Sequence, residues 1–413
     1  MLEKERAVRE KLAKYGQEHL LLKYDSMSEK EKETLLEQIL EIDFNQILEL
    51  YENTKKKIQL GEDKIEPIEY IDKNKLSESE KERYTKLGEE IIKSGKLGFI
   101  TMAGGQGTRL GHNGPKGTFK LIGEKTLFEL ICDTLKEGKE KYGIDIPWYI
   151  MTSKENNNDT VAFFEKQNYF GYPKDCVVFF KQGELPMISS SGKILLDKEG
   201  YVKEASDGHG GIFEAIVKNN LLEDMKKRGL EWLFIGGVDN CLVKMCDPLF
   251  VGLTVDKKYM VAGKSLVKAN PAERVGVFCK RNGRPSVIEY TEISKEMAEA
   301  RDANGELLYG EAHVLMNMFN IKALEALKED KLPYHSAFKK AEYYDENGNW
   351  VVPTEPNAYK FESFIFDAFS YLDNMLIMRV KREEEFAPVK NAEGSDSPET
   401  ARKLYNDFIA TRK

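Results

Sequence analysis

Apolar positions in the first 95 residues recur at helical spacing: Leu35, Leu36, Ile39, Leu40, Ile47, Leu48 and Tyr51 sit three or four residues apart among charged neighbours. Ser28 with Glu31 and Ser77 with Glu80 read as capping-box starts, and Gly95 after Ile91 and Ile92 reads as a helix stop. An α-helical segment over 1–95 is expected. From Leu97 the pattern changes to short β-rich apolar runs at 97–102, 148–151, 177–180 and 232–235, with helical stretches at about 127–141, 159–167 and 211–227 between them. Apolar strands alternating with helices predict an α/β fold built on a mostly parallel, doubly wound sheet, whose ligands bind beyond the carboxyl ends of the strands. Three further β-like runs, 259–262, 275–279 and 286–290, follow. The turn Arg281-Asn282-Gly283-Arg284 joins the second and third, which suggests an antiparallel extension of the sheet. The rest is irregular, with a turn at 347–349, an aromatic-rich stretch from Phe361 to Phe369 and a last helix from about Pro398. The expected division is a helical segment 1–95, a core 96–395 and a C-terminal helix 396–413, with no internal repeat.

Composition narrows the function classes. With 41% hydrophobic and 32% charged residues among 413, the chain can bury a core and solvate its surface. Its 62 basic and 70 acidic residues leave a net charge of -8, the wrong sign for nucleic-acid binding through an overall field. An anionic ligand would have to be held locally. No apolar run approaches the roughly 20 residues of a membrane span, and the start Met-Leu-Glu-Lys-Glu-Arg has no apolar h-region, so a cytoplasmic protein without membrane attachment is expected. Cys132, Cys176, Cys241, Cys246 and Cys279 lack a C-x-x-C pair and read as reduced core thiols.

The chemistry concentrates in the segment LGFITMAGGQGTRLGHNGPKGTFK, residues 97–120. Glycines directly after a strand let backbone N–H groups approach a phosphate chain, and Arg109 and Lys116 add positive charge beside them. The segment therefore reads as a polyphosphate cradle. Gly105, Gly107 and Gly111 are spaced G-x-G-x-x-x-G, which is not the dinucleotide fingerprint, and no Gly-Lys-Ser/Thr closes a Walker loop. Asp239 follows an apolar strand and the pair Gly236-Gly237, where a hard oxygen ligand could hold a divalent cation against phosphates.

Residues 102–116, and above all Gly105-Gln106-Gly107-Thr108-Arg109-Leu110-Gly111, resemble the signature of the eukaryotic-type UDP-sugar pyrophosphorylases, in the form of the UDP-N-acetylhexosamine (N-acetylglucosamine) branch. The likeness continues through 148–153, 179–183, 271–277, 287–292 and 386–392. It implies a Rossmann-like, GT-A-like nucleotidyltransferase with a mixed sheet flanked by helices. It also implies a uridylyltransferase that converts UTP and N-acetylglucosamine 1-phosphate to the UDP-sugar and pyrophosphate with Mg²⁺ or Mn²⁺. Glucose, galactose or N-acetylgalactosamine 1-phosphate are alternative substrates, and a non-catalytic UDP-sugar-binding regulator is the alternative of another class.

Carried over residue by residue, the resemblance puts Gly104, Gly105, Gly107, Gln182, Gly208 and His209 around the nucleotide. Arg109, Lys116 and Lys390 would meet the phosphates, and Asp239 the metal. Glu289 and Tyr290 match contacts to sugar hydroxyls, and Phe364 and Phe366 an aromatic wall for the N-acetyl methyl. His313 stands where the family usually carries an asparagine that reads the sugar, and His209 where this branch more often has asparagine. The family's β-rich C-terminal domain is expected to be absent, which favours a monomer.

Overall fold

A computed structural model describes residues 2–56, 63–327, 332–345 and 347–412. The chain divides into two compact units, and the dividing lines are not 95 and 395. One unit is assembled from Met1–Gly61, Gly183–Gly211 and Leu332–Phe364; the other from Glu62–Gln182, Ile212–Lys331 and Ile365–Lys413.

In the first unit, helices Leu2–Tyr15, Glu29–Glu41 and Phe44–Thr54 form as the periodicity predicts, and Ser28 closes its capping box with Glu31. Leu35, Leu36, Ile39 and Ile47 turn inward; Leu40 is exposed instead. The helices share a core with Ile188, Ile194, Leu196, Val202 and Phe361. Two side-chain amides, Gln17 buried and Gln38 partly so, stitch those layers together. Gln17 donates from Nε2 to the Gly192 carbonyl at 2.9 Å and accepts from the Ile194 amide at 3.0 Å, and Gln38 does the same with Val202, at 2.9 Å both ways. Ile188–Ser189, Ala358–Glu362 and His335–Lys339 form a small antiparallel sheet in this unit.

The second unit is organised on an eleven-stranded mixed sheet. Its path runs Ile71–Asp72, Leu376–Val380, Val261–Val267, Glu311–Asn320, Trp232–Gly237, Leu97–Met102, Trp148–Thr152 and Val177–Lys181. The last four are parallel, with crossover helices Leu127–Tyr142 and Asn157–Lys166. The doubly wound α/β reading of the sequence is met here. Val277–Arg281 and Arg284–Ile288 form the expected hairpin, turning on Asn282 and Gly283 at φ of 52° and 80°, the left-handed pair that a two-residue turn requires.

Four expectations differ. Glu311–Asn320 is a ten-residue strand with no counterpart in the apolar pattern, because it buries polar side chains: Glu311 pairs with Arg379 and accepts from Ser265 Oγ at 2.6 Å. It runs antiparallel between Trp232–Gly237 and Val261–Val267, which makes the sheet mixed. The helix expected over 211–227 is two, Ile212–Lys218 and Leu221–Lys227, because Asn219 bonds the Ala215 carbonyl at 2.8 Å and Asn220 turns left-handed at φ 54°. Residues 63–76 interrupt the expected helical segment, since Ile65–Pro67 and Ile71–Asp72 join the large sheet, before the expected helix after Ser77 forms. Helix Glu78–Lys93 packs on helix Pro248–Asp256 through Gly88 and Gly252, where a Cβ would strike the carbonyls of Pro248 and Tyr84. Finally, helix Pro398–Thr411 is part of the same unit, with Ala401 buried and Arg402 donating to the Leu121 carbonyl at 2.7 Å. Among the described residues no helix is long and apolar enough to cross a membrane.

Candidate active site

The glycine loop leaves the carboxyl end of Leu97–Met102 and folds back on itself. Gly107 N–H donates to the Gly114 carbonyl at 2.9 Å and Lys116 N–H to the Gly105 carbonyl at 3.1 Å, so 105–107 runs beside 114–116. The glycines are glycine for different reasons. A Cβ on Gly104 would lie 2.6 Å from Gln182 Oε1, and one on Gly107 2.8 Å from the His112 ring, whereas Gly105 has open space beside it. Of the three, Gly105 has its backbone exposed for a ligand, and the other two keep the loop folded. His112 Nε2 bonds Thr118 Oγ1 at 2.7 Å and its ring meets Phe119 edge-on, bracing the loop from inside.

Sequence reasoning missed Asn156, which ties this loop to the next strand end. Fully buried, it donates from Nδ2 to the carbonyls of Ala103 and Gly105 at 2.9 and 3.3 Å, and accepts from the Ser153 amide at 2.9 Å. The signal was there in part, as a Ser-x-x-Asn cap after a strand. Gln182, at the end of the third parallel strand, donates its backbone N–H to Thr152 at 2.8 Å and so reaches Gly104.

Lys116 and Asp239 come together as expected. Asp239 lies two residues past Trp232–Gly237, and its Oδ2 is 3.6 Å from Lys116 Nζ; both side chains are largely but not fully covered. Lys390 is brought alongside by backbone pairing, Val389 N–H donating to the Asp239 carbonyl at 2.9 Å, and its own Nζ lies 3.8 Å from Asp396. Arg109 is exposed on the short turn Thr108–Leu110. One cation, Lys116, thus meets the Asp239 carboxylate at the carboxyl ends of parallel strands, with the backbone next to Lys390 paired to the same aspartate, an arrangement suited to a phosphate chain and a hard divalent cation.

Of the residues expected to read a sugar, Glu289, His313 and Phe366 cluster in this unit, whereas Phe364 lies in the other. Gly236 pairs with Met316, so the antiparallel strand bearing His313 lies beyond the end of the strand that leads to Asp239. A bulge around Leu315, φ 51°, shifts the register, so that Asn317 pairs with Gly263 but His313 with Ser265. His313 N–H donates to the Gly276 carbonyl at 2.9 Å, and a Cβ on Gly276 would lie 2.8 Å from Glu289 Oε1, so that glycine seats the carboxylate beside the histidine. The His313 ring meets Phe278, Phe366 and Phe369 edge-on at 5.1, 5.6 and 5.9 Å, and Asn317 holds its Nε2 at 3.2 Å. Tyr290 follows Glu289 on the surface.

Gly208, His209 and Phe364 belong to the first unit. There Asp207 is buried with its carboxyl where a Cβ on Gly183 or Gly211 would fall, so both flanking glycines are required. Gly208, at φ 87°, lies against the Ser363 backbone. His209 and His335 both lie over Phe364, at 5.3 and 4.8 Å; His335 carried no sequence signal.

Beneath the Asp239 strand lies a buried ion chain that no motif announced. Lys264 Nζ contacts Asp247 at 2.7 Å and Glu385 at 2.5 Å, and Lys73 meets Glu385 at 2.9 Å. Burial alone would raise both carboxyls, but the charges of Lys264 and Lys73 more than offset it and hold them below the ordinary carboxylate range. Burial pushes the Cys241 thiol, two residues after Asp239, up to about 12.

Comparison with known proteins bears on the chain as a whole. Residues 42–396 match the sequence profile of UTP–glucose-1-phosphate uridylyltransferase. The UDP-N-acetylhexosamine pyrophosphorylase-like protein 1 of Xenopus tropicalis is 38% identical over 94% of this chain and 80% of its own. The UDP-N-acetylglucosamine pyrophosphorylase of Saccharomyces cerevisiae is 36% identical over 94% of this chain and 87% of its own. The crystal structure of the Trypanosoma brucei uridine diphosphate N-acetylglucosamine pyrophosphorylase, solved with an inhibitor, superposes with a TM-score of 0.81 at 30% identity, covering 98% of this chain and 84% of that one. The profile match across most of the chain, the relatives at this identity and coverage, and the shared fold place the chain in the UTP–glucose-1-phosphate uridylyltransferase family, as a nucleotidyltransferase.

Proposed function

We propose that the protein joins UTP to N-acetylglucosamine 1-phosphate, releasing pyrophosphate and UDP-N-acetylglucosamine. The observation that carries this reading is the approach of Lys116 to Asp239 at 3.6 Å, with Lys390 pinned to the same carboxyl edge by the Val389 to Asp239 bond. Both reactants are anions, so the site's task is neutralisation and alignment. Arg109 and Lys116 take the outer phosphates of UTP, and the open backbone at Gly105 lets the chain lie close. Lys390 receives the sugar phosphate and directs its oxygen at the α-phosphorus. No general base is required, since the attacking phosphate is already ionised.

A divalent cation fits this donor set. Asp239 offers one hard oxygen at the strand end, and phosphates and water would complete the sphere that Mg²⁺ prefers, with Mn²⁺ as an alternative. When bound, the cation supplies charge neutralisation at the α-phosphate. Glu289 accepts from sugar hydroxyls beside His313, and Phe366 offers an apolar face to an acetyl methyl.

The relatives named for UDP-N-acetylglucosamine support the choice of sugar. A panel of sugar 1-phosphates with UTP, read by pyrophosphate release, tests it. Fastest turnover is expected with N-acetylglucosamine 1-phosphate; preference for glucose or galactose 1-phosphate would overturn the sugar assignment, and turnover of none would overturn the reaction.

A further inference from the structure

The segment that carries Lys390 is held to Asp239 chiefly through the next side chain, Asn240. It is 3% exposed. Its Oδ1 accepts from the amides of Ala387 and Leu242 at 2.9 and 3.2 Å, and its Nδ2 donates to the Glu385 carbonyl at 2.8 Å. Backbone bonds flank it, from Cys241 N–H to Ala387 at 3.2 Å and from Val389 N–H to Asp239 at 2.9 Å. Glu385 in turn is anchored through its carboxylate by Lys264 and Lys73. A carboxamide has the acceptor and the donor this pattern needs on one flat head; a carboxylate would set an acceptor against the Glu385 carbonyl, and an apolar side chain would leave three buried backbone groups unmet.

We propose that Asn240 is a positioning residue that sets the spacing between the Asp239 carboxylate and the Lys390 ammonium, and so governs the transfer step rather than UTP capture. The inference rests on the roles proposed above for those two residues. The UTP side is held independently: Asn156 and the pairing of 105–107 with 114–116 fix the glycine loop without Asn240.

The test is a double-mutant cycle on the full chain, using wild type, Asn240→Ala, Lys390→Ala and the double variant. It measures kcat, the KM of each substrate and the Mg²⁺ concentration for half-maximal rate, with thermal melting as a fold check. Asn240→Ala is expected to lower kcat about 10- to 100-fold and to raise the Mg²⁺ requirement. The KM for UTP should stay within about twofold, and the double variant within about threefold of Lys390→Ala alone. Losses that multiply across the cycle, or a raised UTP KM at unchanged kcat, would overturn the proposal. Asn240→Ser replaces the separate acceptor and donor with one shorter hydroxyl, which cannot span both the Ala387 amide and the Glu385 carbonyl as the carboxamide does. It should show a smaller loss with the same failure to multiply, and it carries the cycle if the alanine variant does not fold. A wild type inactive on every sugar 1-phosphate sinks the functional reading and this inference with it, whereas an active wild type with multiplying losses sinks this inference alone.

Discussion

Gly104 shows how much a single residue can depend on a neighbour that is distant in sequence. Its missing side chain accommodates Gln182, whose amide oxygen would lie 2.6 Å from a Cβ there. Gly104→Ala should therefore displace Gln182 and raise the KM for UTP about tenfold or more, measured in steady-state kinetics, because small misplacements near a reacting centre are costly. His313, packed among Phe278, Phe366 and Phe369, is expected to set sugar discrimination. His313→Asn should change the ratio of kcat/KM between N-acetylated and unacetylated sugar 1-phosphates by about tenfold, the scale of a single altered pocket contact, in a two-substrate competition assay. The cysteines make a third prediction at this scale. Burial pushes Cys132, Cys241 and Cys246 up to about 12 and Cys279 to about 11. In the native protein they should alkylate far more slowly at neutral pH than in denaturant, by mass spectrometry with iodoacetamide. A thiol whose folded value is raised stays protonated in the fold while the unfolded chain ionises. Stability should accordingly fall as pH rises above about 9, through the interval up to the folded values.

At the level of elements, what the pattern made legible and what it hid divide by how each element is stabilised. Leu97–Met102, Trp148–Thr152 and Trp232–Gly237 are buried on both faces, and the sheet-end strand Val177–Lys181 only in part, and continuous apolar runs announce such strands. Capping boxes at Ser28 and Ser77 announced their helices because the stabilising contacts lie three residues apart. Glu311–Asn320 was hidden because its polar residues are satisfied by Arg379, Ser265 and each other, partners more than forty residues away in the first two cases. The Lys264–Glu385–Asp247 chain was hidden for the same reason. Breaking it should be costly: Lys264→Met takes the ion-pair partner from buried Asp247 and one of the partners of buried Glu385, which keeps Lys73, and is expected to lose about 3–5 kcal/mol in urea unfolding. Asp247 and Glu385 are held below their ordinary range, so the stability they contribute is fully present above the unfolded carboxylate value near 4. It is lost as pH falls from there through the folded values. Glu385→Gln should flatten part of that acid limb.

For the molecule as a whole, the sequence pattern read as three consecutive pieces, whereas the chain builds two units from interleaved segments. Residues 2–56 are not a detachable preface, since Ile188, Ile194, Leu196, Val202 and Phe361 take their core partners from those helices. Deleting 2–56 should therefore yield aggregated or poorly soluble protein rather than a smaller active enzyme, as judged by size-exclusion chromatography and turnover. The amino-acid sequence by itself determined the class of sheet, the glycine-rich loop from Gly104 to Lys116 directly after a strand, and Asp239 at a strand's end. These depend on local periodicity, on turn chemistry and on residue types that stand close together along the chain. Only the tertiary structure decided which glycines face open space, that Asn156 ties Ala103 and Gly105 to the next strand end and Asn240 ties Asp239 to the 385–389 segment, and how the segments divide into units. Those outcomes rest on hydrogen bonds and packing between residues brought together by the fold, and contacts of that kind leave no period in a one-dimensional pattern.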